Sequence, residues 1–350
     1  MIVKFSNTQY STMQEQITPA QPELPANFGG IEIEKVQPIV IDDGLAALGA
    51  RLATMYRAPF GGDNGRFYFR EGFDDFYAGY SLWTKKVLPT NPMLISWMVD
   101  KGEEGKLISL TAREYGSLFH LVVARHERTD DDFLFRFNSP ASDEWESLID
   151  ETVMHYGLPV SYREKWRMNM KNDMFAYFKW KEEHKVKVLA VETPVWDDDW
   201  RIATPCDMVV SCLVKASPYA KEPSIPCVAG VDFKSGDNGG DYDEYDYQLA
   251  FIKHAWNKRF ADSPYEMTRT LNWSPKSRAM SPGNYHFKDK TDAVTPERLL
   301  WAGEGCRING YNKPTGSVIT YQDDPEGKDA PILAKQSPYD WLRMFFEQRL

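Results

Sequence analysis

The chain has 350 residues, of which 42% are hydrophobic and 14% aromatic; that is too apolar for a disordered segment and enough for one large α/β domain with insertions or for two domains. The formal net charge of −10 argues against broad nonspecific binding of nucleic acid and leaves room for a local basic groove only. Met1–Gln16 is polar, without the apolar stretch of a secretion signal, and no apolar run approaches the ~20 residues that span a bilayer, so a cytoplasmic, reducing setting without a membrane is expected.

Residues 1–40, rich in Gln, Pro and Thr, predict an extended arm. Residues 41–57 (IDDGLAALGARLATMYR) predict a helix capped by Asp42 or Asp43. GGDNG at 61–65 predicts a turn and RFYFR at 66–70 a strand. A short helix is expected over 91–101, with Pro92 in its first turn, and a longer one over 109–127, where Ser109 or Thr111 caps and Glu114 completes a capping box. Further helices are expected over 143–155 and 161–183, which makes the first half mostly α and 41–110 a mostly helical part. Trp83 and Trp97 read as core.

The periodicity changes near 185. KVKVLAVETPVW (185–196) alternates as a half-buried strand does. Residues 207–214 and 226–233 are β-rich and predict two strands joined by a long hairpin loop over 215–225. A Gly/Asp loop (235–243) and a helix (244–260) follow. The stretch 262–330 is rich in Pro, Gly, Asn and Lys, with a strand near 266–273. The chain closes on a helix capped by Ser337, with Pro338 at its first position and an apolar face of Trp341, Leu342, Phe345 and Phe346. The expected organisation is an arm (1–40), a helical part (41–110), a core (111–261) and an extension with a basic loop and terminal helix (262–350). The four cysteines, Cys206, Cys212, Cys227 and Cys306, form no C-x-x-C pair and read as free core thiols, not as a zinc knuckle.

Within this frame 203–234 carries the chemistry. Asp207 opens one β run; Asp232 closes the next, followed by Phe233 and Lys234. Residues i and i+2 of a strand share a face, so Asp232 and Lys234 project together while Phe233 points to the core and offers its carbonyl. Carboxylates on adjacent strands with a cation beside them are what a hard divalent ion and a phosphodiester require. A D-x-K by itself also fits a solvated strand end. Glu192 on an earlier strand, His120 on a helix four residues after Gly116, and Gln248 on the following helix add polar groups in a definite order.

That order, His120, Glu192, Asp207, Asp232-x-Lys234, Gln248, resembles the motif order of RecB-like nucleases of the PD-(D/E)XK superfamily. TAREYGSLFH resembles their G-x-x-H helix, VAGVDFKSG their catalytic strand and YQLAFIKHAW the helix after it, and SLWTKKVLPTNPMLISWMVDKG (81–102) is similar to the segment upstream. The likeness spans about 66–256, and NWSPKSR and YHFKDKT resemble the C-terminal part of phage-encoded members. It departs at Thr204, where Gly is usual, at Ile252, where Tyr is usual, and in the 25-residue separation of Asp207 and Asp232. The resemblance implies a restriction-endonuclease-like mixed β-sheet flanked by helices, in the α/β class. It implies that Asp207, Asp232, His120 and the Phe233 carbonyl ligate Mg²⁺ or Mn²⁺, and that Glu192 holds a second ion or its waters. Lys234 would orient water and oppose negative charge, and Gln248 would hydrogen-bond within the site or to DNA. The cysteine set of iron–sulfur relatives is absent, so no cluster is expected.

Other features have plainer readings. His126 reads as a surface histidine, Asp197–Asp199 as a solvated turn, and Asp241, Asp243, Glu244 and Asp246 as a helix N-terminal cluster. Lys276, Arg278, Lys288 and Lys290 are either a DNA-backbone contact or a surface loop, and Trp273 and Tyr285 either stack on unpaired bases or belong to the core. The function expected is a metal-dependent DNA exonuclease of recombination, repair or replication, acting on DNA with free ends and with a possible recombination or replication protein as partner. The alternatives are a restriction-like endonuclease and a non-catalytic DNA-binding or scaffold member.

Overall fold

A computed structural model of the chain describes residues 33–60, 66–89, 92–129, 140–217, 219–236, 242–276, 283–316, 318–322 and 332–347. In chain order the elements begin with β1 (Glu34–Val36), β2 (Ile39–Val40), α1 (Asp43–Ala46), a 3-10 turn (Gly49–Arg51), β3 (Met55–Arg57), β4 (Phe67–Phe69), β5 (Tyr77–Gly79) and α2 (Tyr80–Val87). Three long helices follow, α3 (Pro92–Thr129), α4 (Pro140–His155) and α5 (Ser161–Glu183), then three long strands, β6 (Lys187–Asp197), β7 (Ile202–Lys215) and β8 (Pro223–Phe233). The rest is α6 (Asp243–Phe260), β9 (Arg269–Lys276), β10 (Asn284–Asp289), α7 (Pro296–Ile308), β11 (Val318–Gln322), β12 (Ile332–Gln336) and α8 (Pro338–Glu347).

Ten strands form one mixed sheet, so the fold is α/β. The four sequence stretches each contribute strands to it. β6, β7 and β8 are antiparallel neighbours, while β5–β7 and β8–β9 are parallel. The central strands are buried on both faces, which explains their near-continuous apolar runs. Val209 faces a core shared with α2, α6, α7 and α8; Met208, Val210, Cys212 and Val214 face one shared with α3, α4 and α5. On α5, Trp166, Met170, Met174, Tyr177 and Trp180 recur every three or four residues, and that stripe is what makes the segment an amphipathic helix. Phe119, Phe233 and Trp273 lock the second core: Phe119 stacks on Trp273 at 5.5 Å and meets Phe233 edge-on at 5.7 Å.

The arrangement corrects several expectations. The helix over 41–57 is only Asp43–Ala46, capped by Asp42, and Met55–Arg57 is drawn into the sheet between β1 and β4. The two helices expected over 91–127 form one run broken at Gly102, whose φ of 51° and ψ of −126° require glycine. Thr111 lies inside that run and gives its hydroxyl to the Ile108 carbonyl, so it caps nothing. Three strands, β3 to β5, interrupt the part expected to be mostly helical. β7 starts at Ile202, which puts Asp207 inside the strand and shortens the hairpin loop to 216–222. β10 and α7 lie in the stretch read as loop-rich, and the strand near 266–273 runs Arg269–Lys276. His126 is buried, against Tyr177 and Phe178, because α5 covers that side of α3. Trp83 is wholly buried; Trp97 is only partly covered. All four cysteines are free and buried, and Ser337 caps α8 by accepting from the Asp340 N–H. The 61–65 turn and the tip of the 235–243 loop lie outside the described residues. Among the described residues no helix is long and apolar enough to cross a membrane.

Candidate metal centre

One edge of β7 pairs with β5 at Ile202–Ala203 and with β8 from Met208 onward, while β6 pairs along the other edge from Ile202 to Ser211. Residues 204–207 therefore face a gap between β5 and β8. Asp207 lies in it, 7% exposed, and its Oδ2 accepts the Phe233 N–H at 2.7 Å. The carboxylate thus takes the place of a ladder carbonyl just where β7 and β8 part.

Glu192 sits opposite Asp207 in the β6–β7 ladder, between the pairs Val191–Met208 and Thr193–Cys206. Its φ is 46°, a left-handed conformation rare for a residue with a side chain and costing about 1–3 kcal/mol. Two carboxylates directly opposed repel each other. His120 answers that repulsion from α3: its Nδ1 is 3.4 Å from Glu192 Oε1 and 3.7 Å from Asp207 Oδ1. The ligand atoms of the three residues lie within 4.8 Å of one another. Gly116, one turn earlier on α3, makes this approach possible: a Cβ there would be 3.2 Å from Ser235 Oγ, and Ser235 hydrogen-bonds the Ala112 carbonyl.

Asp232, 2% exposed, is held differently. Its Oδ2 is 2.5 Å from Lys234 Nζ, and it is not part of the three-residue group. The group of three closes around Asp207, and Asp232, the other aspartate expected to ligate, stands beside it, tied to lysine. Lys234 Nζ also lies 4.0 Å from the centre of the Tyr245 ring and 3.5 Å from Gln248 Oε1. Phe233 packs into the second core, as its alternation requires.

The charges are mutually dependent. Burial raises Asp207, against the pull of His120. Burial likewise lifts Asp232 to about 6, with Lys234 opposing and Asp207 adding to the rise. Burial alone would lower the His120 imidazole, but Asp207 and Glu192 outweigh it and hold the ring up at about 9. Lys234 is raised in the same way, its two aspartates overcoming desolvation.

The register extends the site sideways. Asp232 pairs with Asn272 on β9, and Asn272 with Lys288 on β10. Among the described residues Asn272 Nδ2 and the Tyr80 hydroxyl are buried without a hydrogen-bond partner, and the Tyr80 phenol is pushed up by burial and then by Asp232 and Glu244. Asn272, Tyr80 and Tyr245 are the neighbours that sequence reasoning misses. Tyr245 had a signal, three residues before Gln248 on one helix face. So had Asn272, in the alternating polar run Thr270, Asn272, Ser274. Tyr80 had none.

The described basic residues have different surroundings. Lys276 ends β9 on the surface and Lys288 lies in the register row of Asp232. Lys290 is largely buried and pairs with Asp246 at 2.9 Å, so it anchors the α6 N-terminus and is not presented to DNA. Arg278 lies outside the described residues, as does Asp241. Trp273 is wholly buried, which removes it as a stacking platform, and Tyr285 packs half-buried on the same core. Asp197 is also buried, contrary to a solvated turn: Oδ1 accepts the N–H groups of Asp199 and Trp200, and Oδ2 meets His254 Nε2 at 2.8 Å and Lys258 Nζ at 2.7 Å. No family model and no curated protein matches the chain.

Proposed function

We propose that the chain is a metal-dependent DNA nuclease with a restriction-endonuclease-like core, an exonuclease acting on free DNA ends in recombination, repair or replication. The observation that carries the reading is the meeting of His120, Glu192 and Asp207 within 4.8 Å, beside a buried Asp232–Lys234 pair. One imidazole nitrogen and two carboxylate oxygens are a hard donor set that suits Mg²⁺ or Mn²⁺. The left-handed backbone at Glu192 supports it too, since such outliers gather at functional sites.

His120, Glu192 and Asp207 would hold the ion, with Asp232 and the Phe233 carbonyl beside them. The ion would neutralise charge on a phosphate and make a water acidic enough to attack at neutral pH. Lys234 keeps an ammonium at the same place and opposes negative charge developing on the scissile phosphate. Tyr245 and Gln248 fix that ammonium. The Phe233 N–H fixes the Asp207 carboxylate. Lys276 and Lys288 would meet backbone phosphates flanking the site.

The test is incubation of the full chain with linear and circular DNA, single- and double-stranded, with Mg²⁺, Mn²⁺ or a chelator. Linear DNA should disappear only with a divalent ion, and Asp232→Asn or Lys234→Ala should slow its loss by about 10²-fold or more. Full activity in both variants would place the chemistry elsewhere, and cutting of circles would make the enzyme an endonuclease.

A further inference from the structure

We propose that Cys212 and Cys227 form a disulfide-exchange site, a cross-strand dithiol that a small-molecule disulfide such as oxidised glutathione converts into an intramolecular bridge. The inference is independent of the nuclease reading.

The two residues are direct partners in the β7–β8 hairpin, and their Sγ atoms are 3.6 Å apart. Directly opposed residues of an antiparallel ladder have Cα atoms about 4.5–5.5 Å apart, inside the roughly 4.4–6.8 Å that a disulfide spans. Closing the sulfurs to ~2.05 Å is therefore a matter of side-chain rotation, without movement of either strand. The pairing is selective, because Cys206 and Cys306 belong to the other core, across the sheet.

Access comes from the open end of the hairpin. Cys227 is the more exposed of the two, and residues 224–226 before it are exposed. Pro226 and Pro223 stand opposite Leu213 and Lys215, at the end where β8 begins and its edge is exposed. Cys227 is also the better nucleophile: the Cys212 thiol hydrogen-bonded to it, and then Arg269, favour its thiolate against burial.

The chemistry balances as thiol–disulfide exchange. The Cys227 thiolate attacks one sulfur of the disulfide RSSR, the S–S bond breaks, and RS⁻ leaves. Cys212 then gives up its proton and attacks Cys227 Sγ, displacing the second RS⁻. Two electrons pass from the two protein thiols to RSSR, and the two released protons leave it as two RSH. The bridge would staple the hairpin five residues from Asp207 on one strand and five from Asp232 on the other.

The experiment uses the reduced full chain and oxidised glutathione, quenched in acid, unfolded and alkylated with N-ethylmaleimide. Intact mass and peptide mapping should show two of the four thiols protected, in one peptide pair joining Cys212 to Cys227, with all four alkylated after a reductant is added. Cys212→Ser should instead retain one glutathione on Cys227. If that variant does not fold, the wild-type linkage decides alone. Four alkylated thiols, an adduct that never closes, or a bridge to Cys206 or Cys306 overturns the proposal.

Discussion

Lys234 illustrates how much support one buried cation needs. Its side chain is 19% exposed, and the Asp232 carboxylate satisfies only one side of it. The Tyr245 ring at 4.0 Å covers another, a contact worth about 0.5–2 kcal/mol. Tyr245→Leu should therefore slow metal-dependent DNA loss by roughly 2- to 30-fold, at about 1.36 kcal/mol per factor of ten, while Tyr245→Phe, which keeps the ring, stays near wild type. Initial rates, with circular dichroism to confirm folding, separate the two; equal losses would transfer the role to the hydroxyl. Asp42 shows a carboxylate with a structural task. It accepts from the Leu45 N–H at 3.0 Å, Tyr265 Oη at 2.7 Å and Lys187 Nζ at 2.5 Å. The hydrogen bond from Lys187, then that from Tyr265, lowers it to about 2. A pKa lowered on folding adds stability above the unfolded value of 3.8 that is lost as pH falls through about 2. Lys187 is too exposed to add much, so capping sets the scale. Asp42→Ala should cost about 1 kcal/mol at pH 7, and urea titrations should find that difference shrinking below pH 4. A difference that persists unchanged into acid would mean that the charge is not its source.

At the level of elements, α7 packs by virtue of a missing side chain. A Cβ on Gly303 would fall 2.3 to 2.6 Å from three atoms of the Trp200 indole. Trp200 has little room to yield, since it stacks on His254 at 4.4 Å and donates Nε1–H to Glu304. Gly303→Ala should cost about 1–3 kcal/mol, seen as a thermal transition several degrees lower; an unchanged transition would show the contact to be looser. Such contacts explain what the sequence makes legible. The stripe on α5 is set by neighbours within the same segment and so can be read from it, whereas β6, read as half-buried from its alternation, is a strand as expected but buried on both faces. The 41–57 segment has helical spacing too, but Met55–Arg57 finds partners in β1 and β4, and those long-range pairings override local preference. The order of Asp207, Asp232 and Lys234 is visible as charged residues in apolar runs. The gap in the sheet in which Asp207 lies depends on where β5 lands, which no local pattern reveals. The same holds for Lys290, whose partner Asp246 is 44 positions away in the chain. For α7 a local signal existed: Thr295 caps it and Pro296 opens it.

In the whole molecule the candidate centre is a junction between layers. His120 hangs from the helices on one side of the sheet, whereas Glu192 and Asp207 belong to the sheet itself. Two carboxylates and a histidine held this close, in a chain with a net charge of −10, make a focus of negative potential once the histidine is neutral. An ion bound there binds the folded state alone, because the unfolded chain scatters residues 120, 192 and 207. Linkage then fixes the consequence: an ion at 100 times its dissociation constant adds about 2.7 kcal/mol. Mn²⁺ or Mg²⁺ should raise the melting temperature by a few degrees and a chelator should reverse it. Asp207→Asn is the informative control. It keeps an oxygen to accept the Phe233 N–H, so the metal-free protein should melt near wild type, but it removes the charge the ion needs. A metal-induced shift that survives both Asp207→Asn and His120→Ala would place the ion elsewhere. The measurement is independent of DNA, so it separates a chain that binds no ion from one that binds the ion and cleaves nothing.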